Sequence, residues 1–232
     1  MDFSEYFLKY NSLAVKVEEA FNKITESFPD LVLCKPGCTD CCYAIFDLTL
    51  VEAMHLRHQF DMAFTGEARH AIIEKANKAD RQVYKLKKEA YKAAKEGKDE
   101  QEIVTEMAKE RIRCPLLNHD DLCSIYPHRP LACRIYGVPL AIGGTGRTCG
   151  LSGFKKGSSY TTVNMDIIHD QLLAISAEIT KSIRTKYTGL SEMLVPVSMA
   201  LLTDYSEAYL GIVSRKSEAG TEPEEEQKND NE

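Results

Sequence analysis

The sequence predicts a mostly α-helical protein whose helices flank an irregular, cysteine-lined centre. Three observations predict it. Phe3, Phe7, Tyr10, Ala14, Val17, Phe21, Ile24 and Phe28 recur at steps of four and three, the spacing of one helix face. Glu67–Glu96 is rich in Ala and Lys and free of Pro and Gly, which favours one long uninterrupted helix. All eight cysteines fall in two segments, 34–42 and 114–149, broken by Pro and Gly into turns and loops.

The elements follow in order. Pro29 and Asp30 end the first helix. The segment Cys34–Cys42, "CKPGCTDCC", is a loop because Pro36-Gly37 prescribes a turn. Thr49 is placed to cap the next helix, and Glu52 stands three residues on, the capping-box spacing. After the long helix, Gly97 is a stop and Asp99 a cap for a helix over 100–113. These two make a helical hairpin between the two halves of the cysteine set. Residues 114–150 read as loops and turns with a short strand pair. Asn164–Thr188 reads as a helix stopped by Gly189, and a final helix is expected from about Ser198 to Val213.

The 232 residues suit one domain, read as 1–213, with 214–232 as a disordered acidic tail. The formal charge of −6 is carried by Ser217–Glu232, which has seven acids and one Lys, so the rest of the chain is neutral. A hydrophobic content of 44% allows a packed core. The start "MDFSEYFLKY" lacks the apolar stretch of a signal peptide, and no apolar run reaches the length of a membrane span. The expected location is therefore the cytoplasm, with no membrane partner. There disulfides are disfavoured, and clustered cysteines lean towards metal or redox chemistry.

Thiolates bind zinc at tetrahedral sites and iron in clusters, and spacings of two or three residues let successive sulfurs converge. Cys34, Cys38, Cys41, Cys42, Cys114, Cys123, Cys133 and Cys149 are the candidate metal ligands. Cys41 and Cys42 are adjacent, so their side chains diverge: one ligates while the other packs or reacts, or the two serve different metals. Eight cysteines supply two four-cysteine sites, or one cluster with spare thiols. A disulfide framework and inert buried thiols are the alternatives. Turn residues let backbone N–H groups face the sulfurs, which would stabilise thiolate. Arg129, Arg134 and Arg147 lie near cysteines in sequence, and either compensate a negative site or pair with acids. His119 and His128 lie in the cysteine-bearing loop and are the best histidine candidates, ahead of His55 and His58 on a helix. The Lys-rich stretch 81–98 reads as a solvated face, with Tyr84 and Tyr91 free to pack, and no nucleic-acid partner is expected.

Together "CKPGCTDCC" and "CPLLNHDDLCSIYPHRPLACRIYG" resemble the YkgJ-type cysteine cluster family, the CxxCxxCC zinc- or iron-chelating domain. The first motif ends in Cys-Cys. In the second, the matching positions are Cys114-Pro115, Cys123, Ile125-Tyr126, Arg129-Pro130 and Cys133-Arg134, and Leu48, Thr49 and Glu52 add the family-like "LT-x-x-E". The resemblance covers roughly 34–150, with a three-residue first gap and with the hairpin at about 67–113 as an insertion. It implies a metal-binding protein with an iron–sulfur cluster or zinc as cofactor. A redox or metal-handling role, and an unknown protein or electron-transfer partner, are the first expectation. A structural zinc module for interactions is the second, and a cluster-containing enzyme such as a protein lysine methyltransferase the third. The spacing Cys34-x₃-Cys38-x₂-Cys41 also matches radical S-adenosylmethionine enzymes. There Asp40 replaces the usual aromatic, and the alternating strands and helices of a barrel are missing from the sequence.

Overall fold

A computed structural model describes residues 1–155 and 157–213, so the expected acidic tail lies outside the described residues. The fold is mostly α-helical, with α1 Ser4–Ser27, α2 Leu50–Ala63, α3 Gly66–Lys95, α4 Glu100–Met107, α5 Leu131–Ile135, α6 Met165–Ile183 and α7 Val197–Leu202. Among the described residues, five short strands brace the helices. β1 Asp47–Thr49 pairs antiparallel with β5 Leu194–Pro196. β2 Leu140–Ile142 and β3 Thr145–Arg147 form a hairpin, and β4 Val163–Asn164 lies parallel to β2. Gly143 and Gly144 take φ of 55° and 71° at the hairpin turn, where a Cβ would be strained.

Two hydrophobic clusters share α2 as their common wall. Leu50, Val51 and Met54 pack with α1, α5 and α6, while Ala53, Leu56 and Phe60 pack with α3 and α7. This helix is therefore apolar on most of its circumference, as expected for an element buried between layers. Its start carries the expected capping box: the Thr49 side chain takes the backbone N–H of Glu52, and the Glu52 carboxylate takes that of Thr49. Glu52 does more than cap. Its second oxygen accepts the backbone N–H of Leu131 at 3.2 Å, tying the start of α2 to the start of α5, two residues before Cys133.

Glu52 is buried, and burial pushes its carboxyl up to about 7, against the three hydrogen bonds it accepts. A carboxyl raised from 4.5 to about 7 contributes stability in full below pH 4.5, and loses it as pH rises through 7. Glu52→Gln keeps an acceptor and removes this titration. At equal metal loading, the variant should gain on wild type by up to about 3 kcal/mol between pH 5 and 8 in denaturant unfolding. Parallel pH profiles for the two proteins would contradict this.

Three expected helices are shorter than their patterns. α4 ends at Met107 instead of reaching residue 113. The chain beyond it is extended, so that Ile112 and Cys114 donate backbone hydrogen bonds to the carbonyls of Tyr43 and Cys42, at 3.1 and 2.7 Å. α6 ends at Ile183, five residues before Thr188, because Arg184 turns left-handed (φ 50°) and Thr185 bridges to Ile212. The last helix stops at Leu202 rather than near Val213. There Arg57 donates to the carbonyls of Leu201 and Thr203, both at 2.8 Å, and the chain turns back towards α6. In all three, tertiary pairing outweighs local helix preference.

The basic face of α3 is solvated, as at Lys85 and Lys92. Tyr84 and Tyr91 are exposed on it rather than packed. Lys87 is the exception, reaching Asp47 of β1 at 2.7 Å.

Candidate metal centre

All eight cysteines line one cavity of about 570 Å³. Its walls come from the 34–42 loop, the 112–116 strand-like segment, the 121–130 loop, α5 with Gly137, and Cys149. Ala79 and Val83 of α3 close one side and Phe21 of α1 another. None of the eight is disulfide-bonded.

Local chemistry explains how each segment reaches the cavity. Gly37 (φ 83°) makes the turn in which Cys38 donates to the carbonyl of Lys35 at 2.9 Å. A short 3-10 turn over Asp40–Cys42 follows, and the backbone pairing of Cys42 with Cys114 joins the two cysteine segments directly. The segment between Cys114 and Cys123 is a tight hairpin. Leu117 bridges to Cys123, and the Asn118 side chain accepts from Asp120 and Leu122 at its tip, both at 2.9 Å. Cys133 sits in α5, whose first residue Glu52 holds.

Arg134 fixes this second half. Its side chain is buried and donates to Glu18 of α1, to the carbonyl of Arg129 at 2.9 Å and to that of Pro127 at 2.7 Å. Arg129 also reaches Glu18, at 3.4 Å, and lies over the Tyr126 ring. The two arginines thus pair with an acid and with backbone carbonyls while lining the cavity. Arg147 is not among the lining residues.

The backbone N–H of Leu151 donates to the Cys149 sulfur at 3.4 Å, while the backbone N–H groups of Leu116 and Leu117 near Cys114, and of Ile125 near Cys123, favour thiolate there. These N–H groups lie two residues beyond the cysteine, and three in the case of Leu117. Burial opposes them and pushes the free thiols up, Cys114 to about 12. Cys41 is the sulfur poised to ionise first. The Cys133 and Cys42 thiols donate to it, and the nearby Arg129 adds to the effect, which holds it far below the ordinary thiol range. The same contacts and burial push Cys133 and Cys42 up. Cys34 has exposed surface, but burial of its sulfur and the field of Cys38 raise it to about 11.

The donor chemistry fits a soft or borderline metal ion: eight sulfurs around one space, with N–H groups near several. As placed, the sulfurs line the walls rather than meet at a point. Among the described residues no three His, Cys, Asp or Glu side chains stand in an arrangement that could hold a metal ion. Binding therefore requires the side chains to turn inward.

The histidine candidates stay outside. His119 is exposed at the hairpin tip, and neither it nor His128 lines the cavity. His128 packs beside His55, ring centroids 6.1 Å apart. His55 is buried against Phe7 and Tyr10, its nitrogens unpaired, and burial lowers it to about 4. His58 is exposed.

Two residues escaped the sequence reading. Gly137 leaves the space for Cys34: a Cβ at 137 would stand 2.1 Å from the Cys34 sulfur. Asp40 is a mismatch to the radical S-adenosylmethionine motif, yet its Oδ2 lies 3.4 Å from the Cys149 sulfur, while Arg111 holds its other oxygen. The Asp-Cys-Cys step was visible in the sequence; the approach of Cys149 was not. Gly137→Ala should displace Cys34 and weaken metal binding about tenfold, in the range of supporting-residue changes. Chelator competition measures this, and unchanged affinity would show that Cys34 is not held there for binding.

The model of the family CxxCxxCC, described as "Putative zinc- or iron-chelating domain", matches residues 33–150. No curated protein and no solved structure matches the chain. No helix among the described residues is long and apolar enough to cross a membrane. The match spans both cysteine segments and half of the sequence, and the chain belongs to the CxxCxxCC family.

Proposed function

We propose that the cavity holds iron as a thiolate-ligated cluster, and that the protein serves in electron transfer or metal handling. The observation that carries this is the lining of one space by all eight cysteines, with the backbone N–H of Leu151 donated to the Cys149 sulfur. Hydrogen bonds to sulfur stabilise thiolate and tune the potential of iron–sulfur centres. The mostly apolar walls beyond the sulfurs limit water and lower the local dielectric, a further influence on potential. The whole set Cys34, Cys38, Cys41, Cys42, Cys114, Cys123, Cys133 and Cys149 supplies the ligands.

A zinc-organised scaffold is the second reading. It is favoured by the joining of the two cysteine segments through Cys42 and Cys114, which would make the metal a clamp between them. Anaerobic purification, with a visible spectrum and iron, sulfide and zinc analysis of one sample, separates the two. A brown protein with comparable iron and acid-labile sulfide is expected. A colourless protein with stoichiometric zinc would replace the first reading by the second.

A further inference from the structure

The long helix α3 has two faces. On one, Ala79 and Val83 close the cavity, and Ile72 and Ala76 pack with Ala200 and Leu201 of α7. On the other, Lys78, Arg81, Lys85, Lys88, Lys92 and Lys95 recur at alternating steps of three and four, the spacing of one stripe on a helix. All six are exposed. At 3.6 residues per turn they share an arc of about 140° with Asn77, Tyr84 and Tyr91, and between residues 77 and 95 no acid falls in that arc. The stripe runs about 25 Å along the helix.

Its charge is largely uncompensated. Lys85 and Lys92 make long, exposed pairs with Glu89 at 3.9 Å and Glu96 at 3.7 Å, and such pairs contribute little. Among the described residues Lys78, Arg81, Lys88 and Lys95 have no ion pair. Asp80, just beyond the margin of the stripe, is engaged by the Ser198 hydroxyl, which donates to it at 3.1 Å.

The tyrosines decide what the stripe fits. A merely solvated face, with no nucleic-acid partner, is expected where both rings pack. Instead Tyr84 is 67% and Tyr91 62% exposed, on the same side of the helix and about 10 Å apart along it. The Lys95 ammonium lies 4.7 Å from the centre of the Tyr91 ring, so charge and ring stand side by side. A partner that offers only negative charge uses the cations and leaves the rings idle. A strand of unpaired bases uses both, its phosphates meeting the cations and its flat faces the rings. A duplex keeps those faces covered.

We propose that this face of α3 binds single-stranded nucleic acid, with the six cations on the phosphates and the rings of Tyr84 and Tyr91 stacked on unpaired bases. Stacking accepts every base, so the surface takes strands without choosing a sequence. The face lies opposite the cavity wall, and its role does not rest on the metal reading.

The test is fluorescence anisotropy of a labelled oligothymidylate of roughly 15 nucleotides, titrated with the full-length chain as purified. At about 50 mM salt wild type should bind with a Kd of about 10 μM or tighter, and the affinity should fall steeply as salt is raised. Arg81→Glu combined with Lys88→Glu should weaken binding at least about tenfold. Tyr84→Ala combined with Tyr91→Ala keeps every charge, and should weaken binding at least about tenfold while leaving the salt dependence as it is. All four positions are exposed, and circular dichroism establishes that each variant is folded. No binding by wild type would overturn the proposal. So would a tyrosine variant that binds like wild type, which would leave a surface for any polyanion. Competition by polyglutamate, or by a duplex of the same length, as effective as by the unlabelled strand would overturn it too, in favour of an acidic protein segment or a double helix.

Discussion

Cys133→Ser should empty the metal centre and lower the melting temperature of the metal-loaded protein by roughly 8–16 °C. A metal present at about a thousand times its dissociation constant stabilises the folded chain by about 4 kcal/mol. In a chain of 150–250 residues each 1 kcal/mol shifts the midpoint by about 2–4 °C. Cys133 lies in α5 and lines the cavity, so removing its sulfur takes away one of the proposed ligands. Metal analysis and thermal unfolding on the same preparation test this. A variant that keeps its metal and its melting temperature would remove Cys133 from the ligand set. Cys38→Ser should lose metal with a smaller thermal change, because Cys38 lies in an outer loop rather than against a hydrophobic cluster.

Arg134→Met should destabilise the fold by about 3–5 kcal/mol even without metal, because a buried network is broken at its centre. The guanidinium joins α1, through Glu18, to the carbonyls of Arg129 and Pro127, and so holds the segment between Cys123 and Cys133 in place. Methionine fills similar volume but leaves those carbonyls without a donor. Arg134→Lys should restore little, since one ammonium cannot span three acceptors in that planar arrangement. Denaturant unfolding of the metal-free protein measures the effect. A loss under 1 kcal/mol would mean that water replaces the arginine there.

Much of the helical frame was legible in the sequence. The Phe and aliphatic stripe of α1, the Ala- and Lys-rich α3, and the Thr49–Glu52 cap are local signals, and local signals survive in the fold. Helix ends were less legible. The ends of α4, α6 and α7 are set by Tyr43, Ile212 and Arg57, which lie far away in sequence. The grouping of cysteines into two segments was plain, but their meeting in one cavity depends on the pairing of Cys42 with Cys114, a long-range contact. Glu52 illustrates the gap. Its spacing announced a helix cap, while its hold on Leu131, which ties that cap to the Cys133 helix, could be seen only in three dimensions. Asp40 and Gly137 matter through Cys149 and Cys34, and a one-dimensional pattern does not record such approaches.

Whether these cysteine sulfurs hold a metal can be read from X-ray absorption at the iron and zinc edges of the anaerobically purified full-length protein. The expected first shell is dominated by sulfur at about 2.3 Å. A first shell of nitrogen and oxygen at about 2.0–2.1 Å would contradict it, and would move the metal to the histidines and carboxylates outside the cavity.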